Sequence, residues 1–162
     1  MPNEKLDTTD DSMLVATFFL GDAAFGIDTA QLQEVVRVGH ITPVHHAPAW
    51  VLGVMNLRGR IATIFDLRIK LDMPHVEPCS DSRIFIVEWH GEQIGLLVDR
   101  VADAVSVEAD AVRPSPGNVG SVQGQHVQGV CPTADGRLAA LLNLEAVLRV
   151  EEDRPHASAR NV

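Results

Sequence analysis

The sequence predicts an all-β protein built from two small, similar β-barrel lobes, and three observations carry that prediction. Apolar runs of about five residues recur between turn residues, the pattern of short strands joined by tight turns. Long stretches with a 3.6-residue period are absent, apart from short segments that follow an Asp or Asn. The chain also repeats itself weakly. Residues 53–71, G-V-M-N-L-R-G-R-I-A-T-I-F-D-L-R-I-K-L, resemble residues 129–148, G-V-C-P-T-A-D-G-R-L-A-A-L-L-N-L-E-A-V-L. Both copies read as strand, Gly-containing turn, strand, Asp or Asn cap and short helix, and one lobe of that size would be marginal alone.

The elements follow in chain order. Residues 1–12 and 151–162 are polar and charged, with too little apolar surface to offset ordering entropy, and are expected to be mobile tails. The body spans 13–150, divided into lobes at approximately 13–76 and 83–150, with the lobe that owns the first strand left open. Gly26-Ile27 and Gly95-Leu96 are matching short strands upstream of 32–38 and 101–107. In L-Q-E-V-V-R, strand alternation puts Leu32, Glu34 and Val36 on one face and Gln33, Val35 and Arg37 on the other. Val51–Leu57 and 61–65 are apolar runs around Arg58-Gly59, where glycine takes positive φ without steric cost, so they read as a β-hairpin. Asp66 stops the second strand and caps a short helix starting at Leu67. Residues 71–83, with Pro, His, Cys and Ser, form the connector. Pro114, Pro116, Gly117, Gly120 and Gly124 mark a longer loop in the later half.

The 162 residues suffice for one domain or two small lobes sharing a core. Hydrophobic residues make up 46% and aromatics only 4%, with no Tyr, so Val, Leu, Ile and Ala must fill the interior. A formal charge of −9, with no basic cluster, argues against nucleic acid, whose binding depends on phosphate neutralisation. Cys79 and Cys131 lack C-x-x-C spacing, which fits a reducing compartment and predicts a cytoplasmic protein. The acidic start has none of the features of a signal peptide. No apolar run approaches the roughly 20 residues that cross a bilayer, so membrane insertion is not expected.

Catalytic motifs are missing. The sequence has no G-x-x-x-x-G-K-[ST], H-E-x-x-H or G-x-S-x-G, and no enzyme is predicted. His40, His45 and His46 are the best metal candidates, since neighbouring imidazoles can converge on one ion, but no set of further ligands accompanies them, and His75 with Cys79 is weaker. Neither metal nor cofactor is expected. Both cysteines read as small apolar or loop residues. By residue type alone, Arg58 is a solvated hairpin-tip side chain and Leu32 belongs to a half-buried strand.

The N-L-R-G…D-L-R arrangement at 56–68 resembles the signature of the CheW-like coupling proteins of bacterial chemotaxis. Further segments in family order are F-G-I-D-T-A-Q-L-Q-E-V-V-R (25–37), G-L-L-V-D-R-V-A-D-A-V (95–105) and V-R-P-S-P (112–116), and the resemblance covers roughly 14–150. The chain departs from the family at Ala62-Thr63, where many members have Val-Pro, and at His45-His46.

The resemblance implies two five-stranded, SH3-like β-barrels packed on a shared hydrophobic seam, with short capped helices. It implies a cytoplasmic, non-enzymatic adaptor linking the helical hairpin tip of methyl-accepting chemoreceptors to the regulatory domain of a CheA-type histidine kinase, with array or ring assembly. It assigns Arg58, Leu32 and Glu34 to receptor binding, and Gly53 as a backbone position near that surface. A guanidinium at Arg58 would offer a planar fork to a carboxylate or to helix carbonyls. An adaptor of a non-flagellar chemosensory pathway, controlling surface motility or a second messenger, and a small-barrel ligand-binding regulator are the alternatives. A regulatory module of a kinase fusion is disfavoured because the chain starts at Met and carries no kinase motif.

Overall fold

The structure, a computed structural model, describes residues 12–113 and 126–149. Apart from Ser12, the expected tails, and the Pro/Gly loop from Pro114 to Gly124, lie outside the described residues. Ten strands and two short helices make up the described body: β1 Ser12–Leu20, β2 Ala23–Asp28, β3 Leu32–Arg37, β4 Val51–Leu57, β5 Arg60–Asp66, α1 Leu67–Lys70, β6 Arg83–Trp89, β7 Glu92–Val98, β8 Arg100–Glu108, β9 Val127–Pro132, β10 Leu138–Leu142 and α2 Leu144–Leu148.

The strands form two five-stranded sheets, ordered β8-β1-β2-β10-β9 and β3-β6-β7-β5-β4. The repeat is therefore real but its halves are interleaved. Instead of lobes at 13–76 and 83–150, the leading hairpin of each half joins the sheet of the other half: β1 and β2 pair with β8 and β10, and β6 and β7 pair with β3 and β5. The chain changes sheets through a 3-10 turn at Thr29–Gln31, and again at Asp99 between β7 and β8. Alternation within a strand fixes which face is apolar and says nothing of which distant strand lies beside it, so the exchange left no local trace.

The turns form as their residues dictate. Arg58 and Gly59 both take positive φ, 53° and 88°, as a two-residue I′ hairpin turn requires. Asn56 Oδ1 accepts from the Gly59 N–H at 2.8 Å. Asp66 Oδ1 accepts from Arg68 N at 3.1 Å and Asn143 Oδ1 from Ala146 N at 3.2 Å, so both expected caps are made.

The largest buried cluster draws on both sheets, with Phe18, Leu20 and Phe25 from one and Phe65, Phe85 and Leu96 from the other, and is the shared seam. Phe18 stacks on Phe25 at 5.8 Å and meets Phe85 edge-on at 5.2 Å. Each such fully buried side chain stabilises the fold by about 1.5–3 kcal/mol relative to exposure. Each sheet also covers a cluster of its own, Met55, Ala62, Ile64, Ile84 and Ile86 in one and Val15, Val107, Cys131, Ala139 and Leu141 in the other. Burial pushes the Cys131 thiol pKa up, in keeping with a small apolar core residue, while Cys79 is exposed.

Candidate interaction site

β3 is the edge strand of its sheet, and its burial alternates, with Leu32, Glu34 and Val36 half-buried and Gln33, Val35 and Arg37 exposed, but the three do not share a face as expected: Leu32 packs on the seam and Val36 on the sheet's own cluster. Its pairing with β6 shifts register between Leu32 and Glu34, a bulge centred on Gln33. From the β4–β5 turn, the Arg58 guanidinium reaches back to form an ion pair with Glu34. The Arg58 side chain stays 68% exposed, so the pair contributes at most about 1 kcal/mol to stability, and most of the guanidinium faces solvent.

Leu32 combines both roles left open for it. It packs against the seam cluster and also lines a groove of about 410 Å³. The other apolar walls are Val87 and Trp89 of β6 and Leu144 and Leu148 of α2. The groove thus lies where one sheet meets the helix that follows the other. The register shift at Gln33 turns β3 over: Leu32 sits opposite Val87 on the seam side, whereas Glu34 sits opposite Ile86 and Val36 packs on the sheet's own cluster. The Glu34–Arg58 pair therefore lies off this groove, and Arg58 lines a neighbouring one of about 460 Å³ with Val36, Arg37, Thr42 and Val54.

Gly53 is buried, at a register shift of β4 against β5. Its φ is 148°, and a Cβ there would lie 2.1 Å from the Thr42 carbonyl oxygen. That carbonyl accepts from Val54 N at 2.9 Å, and Thr42 N donates back to Val54 at 2.9 Å. The structure therefore gives Gly53 a close-approach role, beneath the surface that Arg58 occupies.

The groove has a counterpart in the other half of the repeat. Gly26 lies beside Leu141 and Gly95 beside Ile64 in the two parallel pairings, so the upstream strands repeat at a spacing of 69 (95 − 26) and the hairpins at 77 (141 − 64). The counterparts of Leu144, Glu145 and Leu148 are Leu67, Arg68 and Leu71. That second groove is closed. Arg68 donates to both oxygens of Asp99, at 2.6 and 3.2 Å, and to the Pro74 carbonyl of the connector at 3.2 Å. Asp99 also accepts from Gly21 N at 2.6 Å. Burial works against the Asp99 carboxylate, yet the Arg68 and Gly21 hydrogen bonds outweigh it and hold its pKa below the ordinary range. Leu67 and Leu71 beneath are fully buried. In the first groove the exposed Glu145 pairs with Arg149, four residues on, at 3.2 Å instead of bridging to the facing strands, and among the described residues no ion pair spans the cleft.

The histidines do not converge. His40, His45 and His46 are all exposed, and among the described residues no group of three His, Cys, Asp or Glu side chains is placed to hold a metal ion. His75 meets carboxylates: its Nδ1 lies 2.6 Å from Asp66 Oδ2 and its Nε2 3.1 Å from Glu77 Oε2. Those contacts raise the His75 pKa, the Asp66 hydrogen bond most of all. Lys70, buried against the Trp50 ring at 4.0 Å, donates to the Arg149 carbonyl at 3.0 Å. Val87, Trp89, Leu144 and Leu148 were not legible as site residues. The signal available was the apolar spacing of Leu144 and Leu148 on a capped helix, which by itself reads as core.

Known proteins share this architecture. The family model described as CheW-like domain matches residues 14–152. The protein named "Chemotaxis protein CheW" of Rhizobium meliloti (strain 1021) is 32% identical over 152 residues, 94% of this chain and 97% of that protein. "Protein FrzA" of Myxococcus xanthus is 25% identical over 138 residues, 85% of this chain and 86% of that protein. Among solved structures, the scaffolding protein TtCheW from Thermoanaerobacter tengcongensis superimposes with a TM-score of 0.77 at 29% identity, covering 86% of this chain and 89% of that one.

Proposed function

The chain belongs to the CheW-like domain family, and on that premise we propose that it is a cytoplasmic, non-enzymatic coupling protein that links chemoreceptors to a CheA-type histidine kinase in chemotaxis. The observation that carries this reading is the asymmetry of the repeat: of two equivalent grooves, one is closed by Arg68 and Asp99 and one lies open beside Leu32, with the Glu34–Arg58 pair on the same edge strand past its bulge. An open cleft with apolar walls and a polar anchor at one side suits the helix-in-groove mode of recognition. Its occupant is the tip of a receptor's helical hairpin, with Leu32 contributing apolar contact and Arg58 fixing register. Gly53 supports that surface by allowing the Thr42 segment to lie against β4. The two sheets, each over its own cluster, close as small SH3-like barrels, and the kinase regulatory domain docks on their ends. Weak contacts of this kind gain strength by multivalency when assembled in arrays or rings. No described helix is long and apolar enough to cross a membrane, and the receptor supplies the link to one.

A second reading, an adaptor of a chemosensory pathway other than flagellar chemotaxis, is favoured by the relative named Protein FrzA, whose name sets it apart from the chemotaxis proteins. Affinity capture from the native cytoplasm tests both. Recovery of a chemoreceptor together with a histidine kinase supports the coupling role, and the pathway is read from which receptor is recovered. Recovery of neither contradicts it.

A further inference from the structure

The second half of the repeat also builds a counterpart of the Arg58–Glu34 site, and there the chemistry is left incomplete. β8 shifts register against β1 opposite Thr17, as β3 does against β6, so Asp103 stands where Glu34 stands in the first half. The Thr17 hydroxyl donates to the Asp103 carbonyl and fixes the bulge. Before the positive-φ glycine of the hairpin, the first half has Arg58 and the second has Asp135, before Gly136 at φ 88°. Two carboxylates cannot close on each other as Arg58 and Glu34 do. Asp135 is instead held in its own loop by Thr133 and by Arg137, whose Nε lies 3.4 Å away.

What remains is a pocket of about 110 Å³ between the β9–β10 hairpin and β8, with Phe19, Ala24 and Ala102 on one side, the Asp135–Arg137 loop on the other and Asp103 among its lining residues. Asp103 has no ion-pair partner among the described residues. Two cations are engaged there: Arg137, which lines the pocket, pairs with Asp135 and lies over the Phe19 ring at 5.3 Å, and Arg100 lies over the same ring at 4.0 Å, so neither reaches the Asp103 carboxylate as an ion pair.

We propose that this pocket is a socket for an arginine side chain presented by a partner protein, its methylene stem lying on Ala24 and Ala102 and its guanidinium on the Asp103 carboxylate. The molecule itself shows what this fold does with a carboxylate at this bulge, since in the first half the same position binds Arg58. An apolar lining with an acid at the edge matches a side chain that buries its stem and keeps its charge at the rim. The net charge of −9 also steers a cationic partner toward the chain. The proposal is independent of the receptor groove, which lies on other elements.

The test uses the full chain, ¹⁵N-labelled, titrated with N-acetyl-arginine-N-methylamide and observed by NMR. Saturating shifts should appear at Thr17, Ala24, Ala102 and Asp103, and the lysine analogue should bind at least about fivefold more weakly because it lacks the planar fork. Asp103→Asn, whose side chain is exposed and whose spectrum should otherwise superimpose, should lose these shifts. Ala102→Leu, which keeps the acid but fills the pocket, should lose them too. Equal shifts in the Asp103→Asn variant, or shifts confined to other surfaces, would overturn the proposal. Concentration-dependent self-association that disappears in Asp103→Asn would overturn the assignment to a different protein, because the occupant would then be a second copy.

Discussion

Arg58, at a hairpin tip, is bound to Glu34, which lies 24 residues earlier on an edge strand, and the pair joins the β4–β5 turn to β3 across the open side of their sheet. The contact orients the guanidinium without burying it. A partner carboxylate or helix end can therefore engage the remaining N–H donors while Glu34 holds the fork in place.

Arg58→Ala should melt within a few degrees of wild type, because its exposed ion pair is worth little. It should weaken binding of a receptor hairpin fragment by about 2 kcal/mol or more, as arginine anchors at interfaces commonly do. Arg58→Lys should restore only part of that affinity, since an ammonium keeps the charge and loses the fork. Calorimetry of binding alongside thermal melts separates the two effects, and a variant that melts early with proportionate loss of binding would make Arg58 structural.

Leu32→Ser should affect both readouts, because the side chain is half in the seam and half in the groove. A stability loss of about 1–2 kcal/mol is expected, short of the 2–5 kcal/mol typical of emptying a fully buried leucine site. Receptor affinity should fall further than that loss can explain. A full-size stability loss with unchanged affinity of the folded fraction would place Leu32 wholly in the core.

Two glycines should respond differently to the same substitution. Gly59→Ala meets nothing within 4 Å and carries only the conformational penalty of positive φ, on the order of 1 kcal/mol. Gly53→Ala adds a collision with the Thr42 carbonyl, for which backbone must move, and should cost more than about 2 kcal/mol. Denaturant melts of both variants test the order, and equal losses would show that the Thr42 segment yields freely.

The paired His75 makes stability depend on pH. Its pKa is raised in the folded state by Asp66 and Glu77, so its contribution is fully present below the unfolded value of about 6.5 and is lost as pH rises through the folded value. The melting-temperature gap between wild type and His75→Gln should be largest near pH 6 and shrink toward pH 9. A gap that widens with pH would contradict the pairing.

Much of this was legible in the sequence because it is local chemistry. The Arg58-Gly59 turn, the Asp66 and Asn143 caps and the alternating burial along β3 are each decided within a few residues, whereas the bulge that turns Leu32 to the other face from Glu34 and Val36 depends on the pairing with β6. The repeat was visible for the same reason. The exchange of β1 and β2 with β6 and β7 between sheets was not, since those pairings join residues from 31 (Thr63 with Ile94) to 115 (Phe25 with Ala140) positions apart. The groove inherits that opacity: Leu32 and Leu144 line one cleft only because the exchange brings α2 to the edge of the other sheet. The closure of its twin by Arg68 and Asp99 needed the same knowledge.

The most direct test of the account is a chemical-shift map of the ¹⁵N-labelled chain with a receptor hairpin-tip fragment. Perturbations should concentrate at Leu32, Gln33, Trp89, Glu145 and Arg58, and spare the closed counterpart at Arg68, Leu71 and Asp99. Shifts that avoid the open groove, or that fall equally on both halves of the repeat, would contradict the claim that its asymmetry selects the receptor site.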